Sequence, residues 1–165
     1  MATVISLLAL LATFYQLYLQ RVHNEKSLKP LVQIDLMDRG KLLYVRIQNN
    51  GVGPLIVEKL TFLKNGKSYS NLEDCLELSP RSYQHLSIIE SVKKVLVAGS
   101  YLEVFSKQFE ESSTDEELDS TRRQLAALTL RMDGLDIYNN KVTVERDLRW
   151  FMRHHTVSDV RTGDI

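Results

Sequence analysis

The chain has 165 residues, with 21 basic and 21 acidic side chains and a formal net charge of zero. That balance argues against a nucleic-acid surface, which would show a basic excess, so no DNA binding is expected. A single cysteine, Cys75, excludes an internal disulfide framework and fits a reducing compartment.

Residues 2–20 carry no charged side chain. A helix over them spans roughly 28 Å, close to the hydrocarbon thickness of a bilayer. A cleavable signal peptide needs a basic n-region and a small-x-small cleavage site. Here the run passes straight into Phe14-Tyr15-Gln16-Leu17-Tyr18-Leu19-Gln20-Arg21, so a retained signal anchor is expected. The aromatics Phe14, Tyr15 and Tyr18 sit toward its far end, and Arg21, Lys26 and Lys29 follow. Positive charges stay inside, which places the N-terminus out and residues 21–165 in the cytoplasm. At helical spacing, Ala2, Ser6, Ala9, Thr13, Gln16 and Gln20 fall in one sector. Such a small, polar stripe serves either as a helix-packing interface or, in a ring of copies, as a wall facing water. Ser6, Ala9, Thr13, Gln16 and Gln20 are the expected helix-interface or pore-lining residues.

Residues 21–30 read as a polar juxtamembrane linker in which Pro30 ends any helix. Val32–Leu36 alternates apolar and polar, the strand period, and Asp38–Lys41 reads as a turn. Leu42–Gln48 is a second strand with Leu43, Val45 and Ile47 on one face. Asn49-Asn50-Gly51-Val52-Gly53-Pro54 is a loop whose glycines are expected to supply positive φ. Leu55–Leu63 is a strand that Asn65-Gly66 turns into a hairpin. Asn71–Leu76 reads as a short helix capped by Asn71. Further strands are expected at Ser87–Glu90, Lys94–Val97 and Tyr101–Phe105. Thr114 and Glu117 form a capping-box pattern for a helix over Asp115–Ala127, and the acidic block from Glu110 to Asp119 is a solvated face before and along it. Leu128–Met132, extended by Gly134–Tyr138, turns at Asn139-Asn140 into Lys141–Glu145. The expected architecture is mainly β: one N-terminal transmembrane helix (2–20), the linker (21–30), a β-sandwich-like soluble domain with one or two short helices (31–156) and a polar tail (157–165).

No catalytic constellation emerges, so neither an enzymatic role nor a cofactor or metal is expected. Gly51 and Gly53 lack the lysine and following helix of a phosphate loop, and His154-His155 is a poor metal pair on an extended segment. Arg149 and His154 form an R-x4-H sequence, the pattern of small helical ribonuclease domains, where an imidazole base and an arginine act on a phosphodiester. Those domains are helical bundles, whereas the preceding residues here read as strands. The same stretch also reads as end packing by Trp150 and Phe151, with Arg153, His154 and His155 at a polar surface.

The loop Asn49–Pro54 followed by an apolar strand resembles the N-x-G-x-G-P signature of bacterial β-sandwich domains tethered by one N-terminal helix. The late hairpin Leu135–Lys141 is similar to the closing hairpin of the same domains. The layout of an N-terminal anchor with Arg149 and His154 near the C-terminus resembles the small membrane accessory proteins of type VI-B CRISPR systems. That resemblance implies a homo-oligomeric ring that opens a pore in the bacterial inner membrane and strengthens antiphage defence. It also implies functional pairing with an RNA-guided effector. The alternative is a membrane-tethered β-sandwich module that recruits a cytoplasmic partner and forms no pore.

Overall fold

The computed structural model describes residues 2–86 and 93–153. One long helix, α1 (Ala2–Ser27), precedes strands β1 (Val32–Arg39), β2 (Leu42–Asn49), β3 (Leu55–Lys64), β4 (Lys67–Tyr69), β5 (Gln84–His85), β6 (Lys94–Leu96) and β7 (Tyr101–Gln108). Helix α2 (Asp115–Ala126), β8 (Leu128–Leu135), β9 (Lys141–Asp147) and a 3-10 turn at Leu148–Met152 complete the order. The strands form two antiparallel sheets, one in the order β1-β2-β7-β5 and one in the order β4-β3-β8-β9. Strand β6 shares an edge of β3 with β4: β6 pairs Leu55–Val57 and β4 pairs Phe62–Lys64. The chain is thus a mainly β, sandwich-like domain carried on one N-terminal helix, as its alternating segments predict.

The inner faces follow the alternation. Leu43, Val45 and Ile47 on β2 and Leu128, Leu130 and Met132 on β8 are buried together with Phe62 and Phe105. Two bulges keep the apolar sides inward. In β3 the register shifts between Val57 and Lys59, so Leu55 and Val57 face the core before the bulge and Leu60 and Phe62 after it. Across from the shift at Val45/Arg46, Val104 and Phe105 of β7 are consecutive and both buried. A bulge inserts one extra residue, which is what lets the side-chain phase change without turning the strand inside out. The turn between β3 and β4 has φ of 51° at Asn65 and 76° at Gly66, the left-handed pair that a two-residue hairpin needs.

Three sequence expectations are corrected. Asn71–Leu76 is a series of turns, with the Cys75 N–H donating to the Leu72 carbonyl; that short segment makes too few helical bonds to nucleate a helix. The helix does not stop at Gln20 but runs on through Arg21–Ser27, so most of the expected linker is helical and only Leu28–Leu31 connects it to β1. Gly51 and Gly53 do not adopt positive φ; the glycines that do are Gly40, Gly66 and Gly99. The glycines of the loop are needed for closeness instead. A Cβ on Gly51 would stand 2.5 Å from the Lys29 carbonyl oxygen, and one on Gly53 would stand 2.6 Å from the Leu28 carbonyl carbon. The connection from α1 therefore lies directly on their backbone. The strands β4 and β5 are too short to announce themselves in sequence, and the expected strand at Ser87–Glu90 lies outside the described residues.

Asn49 holds this junction together. Its buried Nδ2 donates to the Gly53 carbonyl at 2.8 Å and to the Leu96 carbonyl at 3.1 Å, while its Oδ1 accepts from the N–H groups of Gly51 (3.0 Å) and Leu31 (3.2 Å). Four backbone groups from three segments end on one amide. Asn49→Ala strands them, at a cost of about 3 kcal/mol from the unpaired groups. Melting of the detergent-solubilised full chain is expected to show a drop of roughly 5–10 °C for Asn49→Ala and a drop of similar size for Gly53→Ala. An unchanged melting temperature in both variants would refute the junction.

Candidate functional site

The domain has two dissimilar ends. The end nearest α1 gathers the start of β1, the Asn50–Pro54 loop, the end of β6 and the β8–β9 turn. The far end gathers the β1–β2 turn, the β3–β4 hairpin, α2 and the 3-10 turn after β9. At the far end, α2 begins with Thr114, whose Oγ1 accepts from the Glu117 N–H at 3.3 Å. Only that half of the predicted capping box forms, because the Glu117 carboxylate turns to Lys107 at 3.0 Å. Leu118, Thr121, Leu125 and Ala126 are the buried face of α2. Its other faces are polar, in keeping with a solvated acidic block.

Arg122 of α2 forms the main charged contact of this end. It grips Asp38, at the close of β1, with two bonds: Nε to Oδ2 at 3.0 Å and Nη2 to Oδ1 at 2.7 Å. A third donor, Nη1, reaches Asp119 at 2.8 Å. The bonds to Asp38 raise the pKa of the guanidinium, against burial and with help from Asp119. Arg153 donates to the Asp38 carbonyl at 3.2 Å and lies 3.4 Å above the Trp150 ring. Phe151 is fully buried beneath, so the stretch containing Arg149 does pack the end of the domain.

Between α2 and this last turn lies an open cleft of about 450 Å³ lined by Arg123, Ala126, Ala127, Arg149, Met152 and Arg153. The three arginines stand where α2 ends, at the negative pole of its dipole, which favours cations there. Arg149 is held by Asp147: its N–H donates to Oδ1 at 2.8 Å and its Nε to Oδ2 at 2.7 Å. The backbone bond from Arg149, opposed by burial and reinforced by the Arg149 side chain, keeps the Asp147 carboxyl below its usual range. The cleft thus offers apolar surface rimmed by guanidinium groups, a match for a carboxylate-bearing partner. Sequence reading marked Arg149 but not Arg123, which belongs to a helix packed against it only in three dimensions. His154 lies outside the described residues, so the geometry of the R-x4-H pair is not defined.

The predicted helix stripe keeps its polar groups occupied in part. The Ser6 hydroxyl donates to the Ala2 carbonyl at 3.0 Å, and the Thr13 hydroxyl to the Ala9 carbonyl at 2.9 Å. Gln16 and Gln20 are exposed, like the rest of residues 2–20, and no part of α1 is buried by the domain.

A second cluster was not visible in the sequence. His85 on β5 pairs through Nε2 with Glu73, and its ring centroid lies 5.1 Å from that of Tyr83. Among the described residues, Tyr83 Oη and His85 Nδ1 have no hydrogen-bond partner. Cys75 lies nearby, but burial pushes its thiol up to about 11, with Lys64 opposing, so it stays protonated and is a poor nucleophile. Among the described residues, no three His, Cys, Asp or Glu side chains converge as metal ligands.

Fold and site together define a class: an antiparallel two-sheet domain on a single N-terminal helix that is long and apolar enough to cross a membrane. No model of a known protein family matches this chain, and neither does any curated protein.

The closing hairpin yields a pH prediction. Burial would raise the Asp136 carboxyl, but bonds from the Asn140 side chain and from the Asn140 and Tyr138 N–H groups overcome it and hold it below the usual carboxylate range, with Lys29 assisting. Because the folded value lies below the unfolded one, the stabilisation is complete above about pH 4 and is lost as the pH falls below that. Thermal melts are expected to show Asp136→Asn less stable at pH 7 and with a shallower decline below pH 4. An acid limb as steep as the wild type's would rule out this contribution.

Proposed function

We propose that this chain is a single-pass, membrane-anchored binding module. In this reading α1 crosses the inner membrane of a bacterium with its N-terminus out, and the β domain faces the cytoplasm. The cleft at the far end takes an acidic segment of a partner protein. The observation that carries the reading is the placement of Arg123, Arg149 and Arg153 at the end opposite the one where α1 joins. A membrane anchor then leaves the cleft turned toward the cytoplasm and unobstructed. Titration of the full chain with an oligoglutamate peptide is expected to show binding that Arg123→Glu with Arg149→Glu weakens at least about tenfold, or about 1.4 kcal/mol. Equal affinity in the variant would overturn the assignment of the cleft.

The apolar helix also favours a second reading, the pore-forming accessory role in antiphage defence that the layout and the Arg149/His154 pattern imply. Its support is that the domain covers none of the Ser6, Ala9, Thr13, Gln16 and Gln20 face, which leaves it open to other copies in a ring. The self-bonded hydroxyls of Ser6 and Thr13 lessen the need for water along this stripe, leaving Gln16 and Gln20 as its unsatisfied members. Cells expressing the wild type are then expected to depolarise on effector activation, and Gln16→Leu to block that response. Depolarisation equal to wild type in Gln16→Leu would remove the pore reading and leave the binding module.

A further inference from the structure

The exposed apolar side chains of the β domain are unevenly placed. Among the described residues outside α1, the large hydrophobic side chains left exposed include Leu31 (64%), Val52 (69%), Val97 (59%), Ile137 (42%) and Tyr138 (37%). The remaining two, Val95 and Tyr101, flank them on β6 and at the start of β7. All of these lie at the end nearest α1. Leu31 accepts from Asn50 N–H at 2.7 Å, beside Val52 in the same loop. Val97 follows Leu96, which pairs with Leu55 directly after that loop. Ile137 and Tyr138 form the turn after Leu135, which pairs with Ile56. Scattered exposed hydrophobics are ordinary, but their confinement to one end of a domain marks a contact surface.

The charges at this end have one prevailing sign. Lys26 and Lys29 precede it, and Lys94 and Lys141 stand on β6 and β9 around the apolar tips. Among the described residues, three acids near these tips are already engaged: Glu25 with Arg21 at 3.3 Å, Glu58 with Lys93 at 2.5 Å, and buried Asp136 with Tyr138 and Asn140. Apolar tips, a tyrosine and a lysine rim are the composition of a surface that lies in a lipid headgroup layer.

Chain continuity selects the occupant. Residues 21–27 continue α1 for roughly 10 Å beyond Gln20, little more than the depth of a headgroup layer. The connection that follows is fixed, with Leu31 N–H bonded to Asn49 Oδ1 and Gly53 N–H directed to the Lys29 carbonyl at 3.5 Å. The apolar end therefore cannot swing away from the point where α1 emerges. We propose that this end of the β domain rests on the bilayer, with Leu31, Val52, Val97, Ile137 and Tyr138 in the headgroup layer of an anionic membrane. The proposal rests on α1 spanning the membrane but not on the cleft or the pore.

The test uses the full chain in vesicles of phosphatidylcholine and phosphatidylglycerol, with an environment-sensitive fluorophore on single cysteines. The substitutions are Val52→Cys, Ile137→Cys, Asn65→Cys at the opposite end and Leu11→Cys within α1, each in a Cys75→Ser background. Headgroup spin-labelled lipid is expected to quench positions 52 and 137 severalfold more than position 65, while deep spin-labelled lipid quenches position 11. Quenching at position 11 with positions 52 and 137 no different from 65 would overturn the contact and leave the anchor intact. No quenching at position 11 would overturn the membrane reading itself. Protection of positions 52 and 137 from both lipid quencher and aqueous iodide would show a second copy of the chain on this face, and would also overturn the proposal.

Discussion

The amide of Asn49 is the constraint on which the arrangement turns. It sits at the last residue of β2, fully buried, and both its donors and its acceptor are taken by backbone groups of other segments. Its own backbone is spent as well: its N–H donates to Ser100 and its carbonyl accepts from Gly99. The segment from α1, the loop between the sheets, the end of β6 and the turn into β7 meet there. Each of these segments is short and irregular, so none has a ladder of its own to satisfy its polar groups. A buried amide that pairs them all is worth more than the sum of its bonds, because leaving any one unpaired costs more than forming it returns. Around this node the two sheets part, and the two ends acquire their different characters.

That difference follows from where the chain crosses between sheets. At the far end the β7–β8 crossing is long and contains α2, whose apolar face closes the core between the sheets while its charged face is held by Asp38. Covering the core there leaves polar residues outermost. At the α1 end the crossings are tight loops with no helix to cap them. Arg146, near the far end of β9, donates to the Ile34 carbonyl across the sandwich edge, so this bond ties the two sheets together without covering the loop tips at the α1 end. Among the described residues, the apolar side chains on those tips stay exposed. The asymmetry is therefore built into the connectivity, and the anchor arrives at the end that cannot cover itself.

Much of this was legible in the sequence where periodicity carries the information. The long strands were readable because apolar residues alternate along β2 and β8, and the Asn65-Gly66 turn because few dipeptides accept left-handed φ at both positions. Helix α2 announced itself through Thr114 and Glu117, although the glutamate's final partner is Lys107, a choice made by tertiary contact. The cleft was only half legible. Arg149 lies in a motif, whereas Arg123 becomes its neighbour through the packing of α2 against the last turn. The glycine loop is legible as a signature, but the reason for its glycines is not. From sequence, two glycines in a loop read as turn conformers. What makes them necessary is a second strand of backbone laid across them, and that is a long-range contact no local rule can see.

The physics of that loop bears on what the anchor does. A helix that serves only to raise local concentration is best joined by a slack, Gly- or Ser-rich tether. Here the join is Leu28-Lys29-Pro30-Leu31, with Pro30 buried and the backbone pressed onto Gly51 and Gly53. Proline fixes one torsion, and the bonds to Asn49 and Gly53 fix the path on either side of it. The join thus fixes the path of the chain from α1 into β1. The arginine-lined cleft stands at the opposite end of the same strands, since β1 runs from the junction to Asp38, the residue that holds Arg122. One strand therefore links the α1 end of the domain to the end that carries the charged cleft.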